Sequence, residues 1–181
     1  MAEALQRVTR WAGAVRRALD EHQLDVPVWY VLAQIHTESR GWIRPEDHVS
    51  VDYSAEGILQ IQPIAAKDCG TRVHLVDGRG PSGKSPHKAD AIRSLGCWAK
   101  LQKRYNGNGA PMWDYPLLWL AGSGTLARAR ELRESRGYWP AWWQAANESS
   151  PKGLHAQYVY DYASRWFSAA WAYWQWQAGE A

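Results

Sequence analysis

Phenylalanine is almost missing from this 181-residue chain, which holds one Phe against 13 Trp and 9 Tyr. Cysteine is nearly missing too. Cys69 and Cys97 are too few for a disulfide-stapled scaffold and lack the spacing of a thiolate metal site. Two buried thiols are the simple expectation, with a single disulfide as the alternative. No apolar run approaches about 18 residues, so no integral membrane segment is expected. The first residues, Met1 to Arg7, lack the basic-then-apolar order of a secretory signal. An excess of charge of one sign is also lacking. Lys and Arg number 21 against 18 Asp and Glu, and the resulting +3 is too small to hold nucleic acid through its phosphates. What the chain does have is 46% apolar residues against 22% charged, enough to bury a core and to exclude disorder as its main state.

The surplus of Trp and Tyr over Phe favours flat rings that carry a polar handle, suited both to core packing and to stacking on an amphipathic ligand such as a sugar. Leu5, Val8, Trp11, Ala12, Val15 and Leu19 recur at helical spacing and define a first amphipathic helix. Asp25 then reads as the cap of a second helix, with Pro27 in its first turn and an almost unbroken apolar stretch from Val28 to Ile35, running on to Gly41. Apolar on most sides, this helix should be central. A polar loop from Trp42 to Ser54 leads to Gly57-Ile58-Leu59-Gln60-Ile61 and a short helix from Pro63. A Gly- and Pro-rich surface loop is expected over 71–87. Helices are expected over 89–105, 116–120, 125–135, 140–146 and 153–177. With no strand-helix alternation, repeat or interior linker, the chain reads as one mainly α domain over 1–181, with room for a small β-hairpin near 48–61.

Glu38 is the sharpest chemical feature. It stands at the C-terminal end of the most apolar helix, where desolvation and the negative end of the helix dipole both favour the neutral acid that a general acid must be. By position alone, a helix-end Glu that reaches solvent or pairs with Arg40 or Arg44 explains it better.

The stretch Ala33-Gln34-Ile35-His36-Thr37-Glu38-Ser39, followed by Ala55-Glu56-Gly57-Ile58-Leu59-Gln60-Ile61-Gln62-Pro63, resembles the lytic transglycosylases of the soluble, goose-type-lysozyme-like superfamily. In that family an "ES" closes a buried helix and "GLMQI" with a Pro follows a loop later. A third family element, "AYNAG" and a further Gly, is altered here to Leu118-Trp119-Leu120-Ala121-Gly122-Ser123-Gly124. Trp119 replaces the tyrosine whose hydroxyl would touch the catalytic carboxyl, and its indole can only donate.

The resemblance implies a lysozyme-like helical domain that cleaves the β-1,4 bond between N-acetylmuramic acid and N-acetylglucosamine in peptidoglycan strands, without metal or cofactor. Glu38 would act as the single general acid and base, leaving a 1,6-anhydromuramyl product. Gln60 would bond the sugars, Ser39 would steady Glu38 or an N-acetyl group, Gly57 would admit close backbone approach, and Trp119 and Gly122 would border the substrate. A monomer acting at the bacterial wall in the periplasm is implied. Without a visible signal, delivery by another route such as phage lysis or a virion is expected. A hydrolase needs a second carboxylate, and Asp52 is the candidate among Asp47, Asp52 and Glu56, since the position after the "GILQI" block is Gln62. A wall-binding module that has lost catalysis is the other alternative.

Two further patterns have simpler readings. Gly78 to Ser85 spells a phosphate-binding loop, but Pro86 interrupts the helix start and no strand ending in Asp accompanies it, so a surface loop is expected. His36 and Glu38 are two apart, not the four that aligns metal ligands on a helix, so His36 is expected in or beside the core. The aromatic C-terminal stretch from Tyr158 to Trp176 is expected to pack in the core.

Overall fold

The structure, a computed structural model, describes residues 2–41, 58–61, 63–70, 88–149 and 156–180. Among them the architecture is mainly helical, as expected: α1 (Ala2–Thr9), α2 (Ala12–Glu21), α3 (Val28–Ser39), α4 (Pro63–Cys69), α5 (Lys88–Tyr105), α6 (Asp114–Arg136), α7 (Tyr138–Ser149) and α8 (Ala156–Glu180). No described helix is long and apolar enough to cross a membrane. Most of the region suggested for a hairpin, and the whole loop over 71–87, lie outside the described residues. The part of that region in view is a turn over 58–60 followed by an isolated β-bridge residue, Ile61.

The central position of α3 follows from its sequence. Tyr30, Val31, Leu32, Ala33 and Ile35 are all buried, and α3 packs against α1, α2 and α8. Around it gather Val8, Trp11, Val15 and Leu19 from the N-terminal helices, Trp98 from α5, and Trp166 and Tyr173 from α8. A second cluster joins Leu117, Leu118 and Leu126 of α6 to Trp142 of α7 and Val159 of α8. A third, smaller one sets Ile61 and Ala66 against Cys97 and Leu101.

Four local expectations are corrected. The first amphipathic segment is two helices, interrupted at Arg10-Trp11. The break seats the Trp11 ring in the core and lets Arg10 Nη2 donate to the Gly41 carbonyl at 3.1 Å. Asp25 does not cap α3. Pro27 stands at the N-cap, and the Asp25 N–H is taken by Asn108 Oδ1 at 2.9 Å. Cys69 and Cys97 are not free thiols but are joined, their Cα atoms 5.3 Å apart, tying α4 to α5. The aromatic stretch of α8 is only half core: Tyr162, Trp166 and Tyr173 are buried, whereas Tyr158, Tyr160, Phe167, Trp171 and Trp174 are exposed.

The segments expected over 116–120 and 125–135 form one element with a sharp elbow at Gly122, where φ is 83° and ψ 167°. That region of backbone space is open essentially to glycine alone. The elbow folds α6 back on itself. In a straight helix Asp114 and Arg130 would stand about 24 Å apart, yet their side chains meet at 3.2 Å.

Candidate functional site

The site begins where α3 ends. Arg40 takes a left-handed conformation and Gly41 follows at φ 80°, packed so tightly on α1 that a Cβ there would meet the Arg7 backbone at 3.0 Å. The chain must therefore leave the helix directly after Glu38 and Ser39. This fixes Glu38 in the last helical turn, one turn beyond Gln34 and on the same face.

Glu38 keeps partial contact with solvent while protein crowds its carboxyl. Two donors converge on Oε1: Gln34 Nε2 at 2.9 Å and the Tyr162 hydroxyl from α8, with Gln34 Nε2 also donating to the Tyr162 oxygen. Neither engages Oε2. Burial is the dominant influence on the carboxyl and pushes its pKa up to about 7, against the opposing pull of the Tyr162 and Gln34 bonds and of the Arg165 charge. The group thus exchanges its proton near neutrality. Tyr162 is itself held well above the ordinary phenol value, first by burial and then by the Glu38 charge, so it remains a donor. His36 is held low by burial and by nearby Arg40, and its Nδ1 lies 2.8 Å from the Tyr173 hydroxyl. It is a partly buried neighbour of the core, as expected.

The turn over 58–60 is fastened to α3 and α6 at two points. The Ser39 hydroxyl donates to the Ile58 carbonyl at 2.8 Å, with the Ile35 carbonyl 3.2 Å away, and accepts from the Gly41 N–H at 3.2 Å. Trp119 Nε1 donates to the Leu59 carbonyl at 2.8 Å. Ile58, Leu59 and Ile61 are fully buried, so Gln60, with φ 48°, is the residue of this turn that keeps solvent contact. A glutamine in left-handed backbone is uncommon, and strain of this kind gathers at functional sites.

These contacts revise two expected roles. Ser39, at 1% exposure, cannot reach a ligand and instead ties the Gln60 turn to the helix of the acid. Trp119 likewise spends its indole N–H on the turn rather than on a carboxylate or sugar. Gly122 is exposed and acts as the elbow that sets Trp119 at its post. A hydroxyl that the altered third element lacks reaches Glu38 from Tyr162, which the sequence did not single out. Nor did it single out Gln34, although its four-residue spacing from Glu38 was a usable signal. Gly57, Asp47, Asp52, Glu56, Gln62 and the loop Gly78 to Ser85 lie outside the described residues. Among the described residues no cluster of three or more His, Cys, Asp or Glu side chains could hold a metal ion.

A partly exposed acid that titrates near pH 7, held by neutral donors on one oxygen, can give up a proton and take one back. Comparison of the chain with protein-family models, with curated proteins and with solved structures finds no match.

Proposed function

We propose that this protein is a peptidoglycan lytic transglycosylase in which Glu38 serves as the single general acid and base. The observation that carries the reading is the Glu38 carboxyl, raised to about 7 by burial and gripped at Oε1 by Gln34 and Tyr162. Near neutral pH both of its protonation states are populated, as a group used twice in one cycle requires. Glu38 protonates the leaving oxygen of the cleaved β-1,4 bond. The neighbouring N-acetyl group supports the positive charge at C1. The carboxylate then takes the proton of the muramyl C6 hydroxyl as that oxygen attacks C1, closing the anhydro ring with no water consumed. Tyr162 steadies the carboxylate between the two steps, and Gln60, in the turn held by the Ser39 and Trp119 tethers, bonds the sugar. Among the described residues, Arg165 is a cation whose charge favours the carboxylate form of Glu38.

The test is digestion of purified sacculi followed by mass spectrometry of the soluble products. Anhydromuropeptides from the native chain, and none from Glu38→Gln with its helical circular dichroism intact, support the reading. Products ending in reducing muramic acid would make it a hydrolase. Retained wall binding with no products would make it a binding module.

A further inference from the structure

α8 has two apolar faces. Inward lie Tyr162, Trp166, Ala169 and Tyr173. Outward lie Tyr160, Ser164, Phe167, Trp171, Trp174 and Ala178, all exposed, the four rings by 55, 55, 56 and 45% respectively. Their spacing alternates strictly between four and three residues, the narrow seam by which one helix packs along another.

We infer that this seam is a two-fold interface at which α8 of a second copy docks antiparallel. The sequence of the seam is matched to itself about Ala169. Reversed upon itself, it sets Tyr160 against Ala178, Ser164 against Trp174, and Phe167 against Trp171. The outer pairs put a large ring opposite a small side chain, and the central one is aromatic on aromatic, so two backbones can approach without clash. The exposed flank beside the axis is Asp161, Ser168 and Gln175, so antiparallel docking brings Asp161 towards a neutral Gln175 and Ser168 towards its own copy, with no like charges apposed. Trp139, 38% exposed and packed 6.4 Å from the Tyr160 ring, widens the patch. Five rings at roughly half exposure offer about 100 Å² each, so two copies together reach the ~1,000 Å² that a specific interface needs. α8 carries one Arg and no Lys, which disfavours an anionic membrane as occupant, since helices that lie on such surfaces are rich in Lys and Arg.

The inference does not depend on the reaction. Tyr162 faces inward from the same helix, so docking leaves the Glu38 side free and stiffens the element that holds the acid. It stands against the monomer expected from sequence, and the oligomeric state decides between them.

Sedimentation velocity of the full chain over a concentration series should show reversible association to twice 20.6 kDa. Phe167→Glu, at the centre of the seam, should raise the dissociation constant roughly 30-fold or more, as loss of a central anchor does. Ser164→Trp should do likewise while adding apolar surface, because it sets two large rings against each other. Ser168→Cys should form a disulfide-linked dimer on mild oxidation, and Ser149→Cys, on exposed α7, should not. Circular dichroism establishes that each variant is folded. A monomer at every concentration overturns the inference, as does association that Ser164→Trp strengthens. Binding of chitotetraose by a monomer, lost in Phe167→Glu, would make the seam a glycan surface and equally overturn it.

Discussion

Glu38 and Asp114 each accept a hydrogen bond from a tyrosine hydroxyl, yet the company around them differs in kind. Asp114 is wholly buried and gripped by cations: Arg133 Nη2 at 2.7 Å on one oxygen and Arg130 Nη2 at 3.2 Å on the other, with Tyr138 at 2.7 Å. Among the described residues Glu38 receives neutral donors, Gln34 and Tyr162, and Arg165 acts on it without a direct bond. A buried carboxylate that meets guanidinium groups is locked into charge-assisted hydrogen bonds and serves as a structural tie. One that meets only amide and phenol is left near the balance between its two protonation states. The difference between a strut and a reactive acid therefore lies in the partners, not in the residue or in the depth of burial alone.

The widest separation of the two should come from Glu38→Gln. Loss of the acid is expected to cost roughly 1,000-fold in the rate of sacculus solubilisation, within the range that general acid-base groups supply, while the chain stays folded. Asp114→Ala should show the reverse. Removing the shared carboxyl takes from Arg130 and Arg133 the partner that ties the two halves of α6 together, leaving Arg130 its bonds to the Tyr105 carbonyl and Asn106 Oδ1, and urea unfolding should register a loss of about 3 kcal/mol. Below its unfolding transition that variant should keep most of its specific activity. Equal loss of activity in both variants would erase the distinction.

The same contrast has a pH dependence. Glu38 binds its proton more tightly folded than unfolded, since its pKa rises from 4.5 to about 7. Its contribution to stability is therefore complete below pH 4.5 and is lost as pH rises through 7, about 3 kcal/mol in all by pH 8. His36, held low, acts in the opposite sense, destabilising as pH falls below its ordinary value of 6.5. Comparing native chain with Glu38→Gln cancels the His36 contribution. Urea titrations at pH 5 and pH 8 should find the native chain losing stability relative to Glu38→Gln across that interval. A constant difference would mean that the carboxyl is not desolvated.

Gly122 links the two regions, because its elbow brings Arg130 back to Asp114 and also holds Trp119 against Leu59. The neighbourhood of a Cβ there is empty within 4 Å, so Gly122→Ala should cost backbone strain rather than a clash, about 2 kcal/mol by thermal unfolding. Loss of activity beyond what that destabilisation explains would show that the elbow also sets the Gln60 turn.

How far these features could be read from sequence follows from their range. Helical periodicity is local, and it located α3, α5, α7 and α8 to within a few residues. The break in the pattern between Leu120 and Thr125 marked the elbow before its geometry was visible. Glu38 was legible because two short blocks, Ala33 to Ser39 and Ala55 to Pro63, stand in the order and spacing of a known pattern; its place at the end of an apolar helix would not have singled it out alone. Tyr162 was not, since it lies 124 residues away among Tyr158 and Tyr160, and only the facing of α8 against α3 selects it from its neighbours. The donor roles of Ser39 and Trp119 were misjudged for the same reason. A hydroxyl or indole declares what it can donate, but which carbonyl receives it depends on the third dimension. The disulfide between α4 and α5 likewise rests on a 28-residue separation that carries no pairing signal.

Tyr162→Phe gives the smallest effect and the finest discrimination. The hydroxyl bonds the charged form of Glu38, so its removal should carry the carboxyl pKa above 7, leaving burial less opposed. Two consequences follow for the pH profile of sacculus digestion. The limb on which rate falls as Glu38 loses its proton should move to higher pH. The maximum should drop about tenfold, because the carboxylate that must collect the C6 proton is less favoured and less well aimed. A phenol that merely packed would lower the rate without moving the limb, and the unfolding midpoint measured alongside would account for the whole loss. If instead the limb stays in place while stability is unchanged, the acid is governed by another group, and Glu38 would resemble Asp114 more than its surroundings imply.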